Sequence, residues 1–192
     1  QMNKYDSELI SGILKQQGFV ISDSADNADI VIINSCSVRK HAETRILGRL
    51  SALLHWKKKR SHRRLGLIGC MAQRKKQKLL REIPCLDFVI GPDEYRKLPS
   101  VLLKPDPVPS VYTDLVKTET YDNIRPVRRS AVCGWTAIMR GCNNFCAYCI
   151  VPYTRGRERS RPAESILCEI RRMVGEGFRE VTLLGQNVNS YH

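Results

Sequence analysis

The sequence predicts an α/β protein in two parts: an amino-terminal parallel-sheet domain over residues 1–103, then the opening βαβ unit of a β/α barrel over 131–192. Three observations predict it. Short apolar runs alternate with amphipathic helical stretches through the first hundred residues, the pattern of a parallel sheet with helical crossovers. Prolines at 105, 107, 109 and 126 then interrupt a polar stretch over 104–130, which reads as a linker. After it comes a strand, a cysteine-bearing loop, a helix and a second strand.

Taken in order, Tyr5, Leu9, Ile10, Ile13 and Leu14 recur at helical spacing, so a helix spans about 4–17 with Asn3 as its cap and Gly18 as its stop. Ile30 to Ile33 is an uninterrupted β-branched run, expected to be a strand buried on both faces. A long helix follows from about Ser37 towards Arg60, with Ile46, Leu50, Leu53 and Leu54 inward. Leu65 to Gly69 is the next strand, residues 72–82 a basic helix, Phe88 to Ile90 a third strand, and 93–103 a helix opened by Gly91-Pro92. In the second part, Gly134 to Met139 reads as a strand. Arg161-Pro162 starts a helix whose stripe is Ile166, Leu167, Ile170, Met173 and Val174, closed by Gly175 and Gly177. Glu180 to Leu184 is its following strand.

Composition narrows the class. An apolar content of 42% is enough for packed cores and argues against disorder. No secretory leader opens the chain and no apolar run has membrane-spanning length, so a cytoplasmic protein with reduced thiols and no membrane partner is expected. Both ends look cut: the chain opens on Gln1-Met2-Asn3 and closes just after a strand. The net charge of +13 points to a polyanion, for which nucleic acid is the natural choice, against the plainer reading of a merely basic soluble protein. Ten Lys and Arg against one acid lie between Ser37 and Arg64, and Arg155, Arg157, Arg159 and Arg161 follow the cysteine loop, where an RNA backbone or stacked base would suit them. His41, His55 and His62 are expected at the surface.

The cysteine loop carries the chemistry. Gly141 to Cys149 places Cys142, Cys146 and Cys149 within eight residues, spaced C-x3-C-x2-C. A closed zinc site or an ordinary cubane cluster wants four protein ligands; three leave one metal position open for a small molecule. A four-iron cluster with S-adenosylmethionine chelated at its open iron fits this pattern. A zinc site with a distant fourth ligand, or part of a disulfide framework, are the alternatives. Cys36 and Cys70 stand at the carboxyl ends of successive strands, where parallel sheets bind their ligands, although half-buried structural thiols could stand there too. Cys85 falls outside every motif and reads as structural; Cys133 lies nine residues before Cys142, a distance that fits no known ligand loop. Cys168 lies off its helix's apolar stripe.

The residues that follow the loop, Ile150-Val-Pro-Tyr-Thr-Arg-Gly-Arg-Glu-Arg-Ser-Arg-Pro162, resemble the signature of the methylthiotransferase family of radical-SAM enzymes. Gln1-Met-Asn-Lys-Tyr-Asp-Ser7, Asn34-Ser-Cys-Ser-Val-Arg39, Gly69-Cys-Met-Ala-Gln73 and Leu183-Leu-Gly-Gln-Asn-Val-Asn-Ser-Tyr191 resemble other motifs of the same family. The resemblance extends over essentially the whole chain. It implies a radical-SAM barrel in the second part and a cluster on Cys142, Cys146 and Cys149. It also implies contact of the Tyr148 backbone with the adenine of S-adenosylmethionine, and a methionine-binding stretch at Gly185 and Gln186. A second 4Fe-4S cluster is implied on three cysteines, two of them Cys36 and Cys70; the third belongs immediately before Gln1, so this chain lacks it.

The implied activity is methylthiolation of tRNA with two molecules of S-adenosylmethionine. One supplies a methyl group to sulfur at the second cluster. The other yields the adenosyl radical that removes hydrogen from an adenine C–H too weakly acidic for a base. Tyr153-Thr-Arg-Gly and Gly185-Gln-Asn-Val-Asn favour the branch acting on N6-isopentenyladenosine beside the anticodon, over those acting on threonylcarbamoyl-adenosine or a ribosomal protein. An electron donor of flavodoxin or ferredoxin type is implied as a partner, and a monomer is expected. No general base is expected. The alternative of another class is a non-catalytic iron–sulfur protein that binds nucleic acid.

Overall fold

Four short strands, each entered in turn along the chain, build the first sheet. The computed structural model describes residues 1–37, 40–104, 108–128 and 132–192. Val38, Arg39, Pro105 and Pro107 lie outside the described residues, as does the side chain of His41. Helix α1 is Met2–Gln16. Strand β1 is Ile30–Ser35, helix α2 Lys40–Lys58, strand β2 Arg64–Gly69, helices α3 and α4 Cys70–Lys75 and Lys78–Glu82, and strand β3 Phe88–Ile90. A 3-10 turn at Tyr95–Lys97 leads into α5, Leu98–Leu103, and β4 is Ser110–Tyr112. Beyond it come β5 (Cys133–Ala137), β6 (Met139–Arg140), α6 (Val151–Arg155), β7 (Arg159–Ser160), α7 (Ala163–Gly175) and β8 (Glu180–Leu184).

Two units result. Phe19–Leu115 forms one; Gln1–Gly18 joins Val116–His192 in the other. The first helix therefore folds with the carboxyl-terminal part, not with the sheet domain in which the sequence partition placed it. The reason is its stripe: Tyr5 packs with Ala137 and Leu184, flanked by Met2 and Trp135, and Val127 N–H donates to the Glu8 carbonyl at 2.9 Å.

In the sheet unit, β1 to β4 pair in parallel in chain order. Ser35 aligns with Gly69, Ile68 with Ile90, and Ile90 with Tyr112, so all four carboxyl ends lie at one edge of the sheet. The fourth strand falls inside the stretch expected to be a linker: Ser110-Val111-Tyr112 follows three prolines with one aliphatic residue and does not signal itself, and pairing with β3 makes it a strand. β1 is an edge strand and half-buried, not buried on both faces as its apolar run suggested. Leu50, Leu53 and Trp56 of α2 meet Leu65, Leu67, Met71, Leu79 and Val89 in the core. Each such side chain stabilises by roughly 1.5–3 kcal/mol on burial. Leu54, assigned inward by its spacing, is instead 39% exposed, and Trp56 takes the buried place. The helix expected over 72–82 divides at Lys76, whose φ is 48°.

In the other unit, β5 and β8 pair in parallel from Cys133 opposite Glu180 to Ala137 opposite Leu184, with α7 as the crossover. The βαβ unit expected of a barrel opening is present. Ile166 and Met173 of α7 are buried, whereas Leu167 and Val174, expected on the same stripe, are exposed. α1 starts at Met2 with Gln1 as cap, so Asn3 lies within the helix, not before it.

Candidate functional site

The cysteine loop leaves the unit at the carboxyl end of β5. After Ala137 the chain passes through β6, which pairs antiparallel with β7 (Arg140 opposite Arg159), and then turns at Gly141. Gly141 has φ +76°, and a Cβ there would collide with the Arg157 carbonyl. Only glycine allows the outgoing and returning strands of the loop to lie so close. Cys142 N–H donates to the Gly156 carbonyl at 3.2 Å, and Cys149 N–H to the Cys146 carbonyl at 2.9 Å, so the last two thiols share one turn. Phe145 enters that turn at φ 47°.

All eight cysteines are reduced. Cys142 is buried, Cys149 half-buried and Cys146 exposed. Among the described residues no group of three or more His, Cys, Asp or Glu side chains is gathered as a metal site would gather them. The structure therefore brings the three loop thiols onto one short segment without drawing their sulfurs into a set. Tyr148 stands 92% exposed on the loop. Gly185 and Gln186 follow β8, and because Ala137 lies opposite Leu184 they occupy the same end of the strand pair as the loop. Gln186 Oε1 is buried and has no hydrogen-bond partner within the protein. An orphaned acceptor and a three-thiol loop thus leave the same end of one strand pair, and thiolates suit a soft metal while a buried acceptor suits a polar organic ligand.

Cys36 and Cys70 follow directly on Ser35 and Gly69, which are register partners, so the two thiols leave neighbouring strand ends. Gly69 has φ +92°, and a Cβ there would stand 2.5 Å from the Ser35 carbonyl oxygen. The Ser35 hydroxyl is bonded to the Ile68 carbonyl across the same pair. Glycine at 69 is thus what lets the backbones before the two cysteines touch. Cys70 is buried and Cys36 half-buried. Among the remaining thiols, burial pushes Cys85 up. A hydrogen bond to the Glu180 carboxylate, 3.4 Å away, pushes Cys133 up. Both shifts favour the neutral thiol.

The arginines after the loop do not form the RNA-facing row expected of them. Arg155, Arg159 and Arg161 are buried. Arg159 Nη2 donates to the Arg155 carbonyl at 2.7 Å, and Arg161 Nη1 to Glu169 at 2.7 Å and to the Ala137 carbonyl at 2.9 Å. Glu169 also pairs with Arg128. Arg157 is the member of the four left at the surface, its guanidinium 4.1 Å from the Phe145 ring centroid. In the basic α2 region, Lys57 is bound to Asp87 at 2.7 Å and Arg63 is buried, while Arg45, Arg49, Lys58, Lys59 and Arg60 are exposed. His55 is exposed as expected, and exposed His62 pairs with Asp29. Sequence reasoning missed Asp6: it is wholly buried, between Arg140 and Arg155. Its signal was a carboxylate on the same helical stripe as Leu9, Ile10 and Ile13.

Comparison with known proteins agrees with the resemblance carried by the motifs. Residues 1–91 match the model of uncharacterized protein family UPF0004, and residues 136–192 match the Radical SAM superfamily. The tRNA-2-methylthio-N(6)-dimethylallyladenosine synthase of Chloroherpeton thalassium is 50% identical over 193 residues, all of this chain. Over its whole length the chain is similar to methylthiotransferases, and its second part to radical-SAM proteins. Proteins of the same name from Bacteroides fragilis and Prosthecochloris aestuarii are 47% and 43% identical, again over the whole of this chain. The chain spans 42–44% of the length of these curated relatives. The cysteine loop falls within the radical-SAM match, and the Cys36 and Cys70 strand ends within the other. Among the described residues no helix is long and apolar enough to cross a membrane.

Proposed function

We propose that this chain is a methylthiotransferase that serves the 2-methylthiolation of N6-dimethylallyladenosine beside the anticodon of tRNA. Cys142, Cys146 and Cys149 hold one 4Fe-4S cluster, and Cys36 and Cys70 contribute to a second. The observation that carries the reading is the meeting, at one end of the β5–β8 pair, of a three-thiol loop and the orphaned Gln186 acceptor. When bound, the first cluster supplies the electron that cleaves S-adenosylmethionine to an adenosyl radical. The protein's own part is positional. Gly141 and the Cys142–Gly156 hydrogen bond set the loop's base; Gly185 and Gln186 would receive the methionine end of the cofactor, and the Tyr148 backbone would meet its adenine. Gly69 keeps Cys36 and Cys70 side by side for the second cluster. Arg157 beside Phe145, together with the exposed cations of α2, offers contacts for phosphate and a stacked base. The names of the relatives support tRNA as substrate. The reaction belongs to the cytoplasm, with a low-potential flavodoxin or ferredoxin as electron source.

Two measurements on the complete gene product test this. Anaerobic reconstitution, followed by S-adenosylmethionine and a reductant, is expected to release 5′-deoxyadenosine, and replacing any one of Cys142, Cys146 or Cys149 by alanine abolishes it. Mass spectrometry of tRNA from a strain lacking the gene is expected to show loss of the methylthio group from dimethylallyladenosine. Unchanged methylthiolation there would transfer the substrate to threonylcarbamoyl-adenosine or to a ribosomal protein. Iron and sulfide without 5′-deoxyadenosine would leave a non-catalytic nucleic-acid-binding protein.

A further inference from the structure

Asp6 lies on α1, far in sequence from the cysteine loop, yet it touches the residues on both sides of that loop. Its Oδ1 accepts from Arg140 Nη1 at 3.1 Å and Nη2 at 2.6 Å; its Oδ2 accepts from Arg155 Nη2 at 2.6 Å. Arg140 ends β6, just before Gly141-Cys142, and Arg155 ends α6, just before Gly156, whose carbonyl receives the Cys142 N–H. The side chains are 0%, 2% and 6% exposed, respectively. Arg140 is further held with its guanidinium 4.7 Å from the Tyr121 ring centroid. We infer that Asp6 is a positioning residue that closes the base of the cysteine loop and so sets the spacing of its thiols. This rests on the contacts of the Asp6 carboxylate with Arg140 and Arg155 and holds whatever the thiols bind.

The physical reason is charge. Two guanidiniums brought together away from water repel strongly, and a carboxylate between them turns repulsion into a pair of charge-assisted hydrogen bonds. Between Arg140 and Arg155 the chain has only the short α6 and a turn, so the loop's two ends are held by the β6–β7 pair, the Cys142–Gly156 hydrogen bond and the charge-assisted bonds to Asp6. Removing the carboxylate leaves two buried cations without their shared partner, a strongly unfavourable state that the chain relieves by parting them. Cys142 lies directly on the segment that must move.

The test uses the full chain, free of iron and reduced. Iodoacetamide alkylation of each thiol is followed by mass spectrometry, with exposed Cys168 as internal reference. Asp6→Asn is expected to raise the Cys142-to-Cys168 rate ratio about tenfold, the factor for roughly 1.4 kcal/mol of lost loop closure. Hydrogen exchange is expected to keep the amides of α1 and β5 protected while those of Gly141 and Cys142 lose protection. Arg155→Gln acts in the same direction, and the double variant is no worse than the worse single, because both remove one arrangement. Anaerobic reconstitution with iron and sulfide adds a spectroscopic readout: the Asp6→Asn chain recovers several-fold less visible thiolate–iron absorption than the unmodified chain. An unchanged Cys142 ratio, additive effects, or equal loss of protection across α1, β5 and the loop would overturn the inference; the last assigns Asp6 to folding alone. Failure of the unmodified chain to take up iron would instead count against the proposed function, since the alkylation arm needs no metal.

Discussion

Buried charge in the second unit is arranged in carboxylate-centred groups: Asp6 between Arg140 and Arg155, and Glu169 between Arg161 and Arg128. Truncating a buried partner costs far more than a surface pair is worth, on the order of 3–5 kcal/mol. Arg161→Ala is therefore expected to lower the urea midpoint of the chain markedly, while Arg157→Ala, at the surface over Phe145, shifts it within about 0.5 kcal/mol. Circular dichroism across a urea series separates the two. Tyr5 adds a pH signature. Burial pushes its phenol up to about 12, with the Glu169 charge assisting and Arg161, Arg140 and Arg128 opposing. The unfolded chain ionises this group near pH 10 while the folded chain keeps it neutral, so its contribution is intact below pH 10 and lost between there and pH 12. About 2–3 kcal/mol is expected to disappear over that interval. Tyr5→Phe flattens that part of the stability profile. Gly141→Ala meets both a left-handed backbone and the Arg157 carbonyl, and is expected to cost roughly 1–3 kcal/mol and to expose Cys142 to alkylation.

At the scale of elements, α2 shows how far a periodic pattern can be trusted. Leu50 and Leu53 are buried as spacing predicts, but Leu54, one step round the helix, faces outward, and Trp56 fills the core in its place with its indole N–H bonded to the Ala25 carbonyl at 2.6 Å. Leu50→Ala is expected to cost roughly 2–5 kcal/mol and Leu54→Ala less than about 1, a contrast that thermal unfolding of the two variants would reveal. β4 and the α3–α4 break were not legible for a related reason. Ser110–Tyr112 follows three prolines with Val111 as its one aliphatic residue, which does not mark a strand as the wholly apolar Phe88–Ile90 does, and neighbouring β3 supplies the hydrogen bonds that make it one. The strands β2, β3 and β8 and the helix α7 were legible because each concentrates apolar residues between turn or cap signals, although Leu167 and Val174 of the α7 stripe face outward.

For the molecule as a whole, the charge of +13 is spread unevenly between structure and surface. Arg63, Arg140, Arg155, Arg159 and Arg161 are committed to internal bonds. Arg45, Arg49, Lys58, Lys59, Arg60 and Arg157 are among the cations left at the surface, and under the proposed function they are the ones suited to contact tRNA. tRNA binding by the complete protein is expected to weaken linearly in log–log against salt. Arg157→Ala or Lys59→Ala reduces the slope by about 0.7–0.9 for each phosphate no longer neutralised, whereas variants of the buried arginines change stability first. Filter binding at graded salt measures it.

Local pattern by itself determined the α/β class, the alternation of strands and helices, and the cysteine loop with its three thiols, because spacing along the chain is all those features need. Its motifs also pointed to the radical-SAM methylthiotransferases, the family the comparisons bear out. Only the tertiary structure decided which unit α1 joins, which arginines are interior, and that Asp6 holds both ends of the cysteine loop. Those depend on residues more than a hundred positions apart, such as Asp6 and Arg140, finding one another when apolar surface is buried, and no local periodicity records such a meeting.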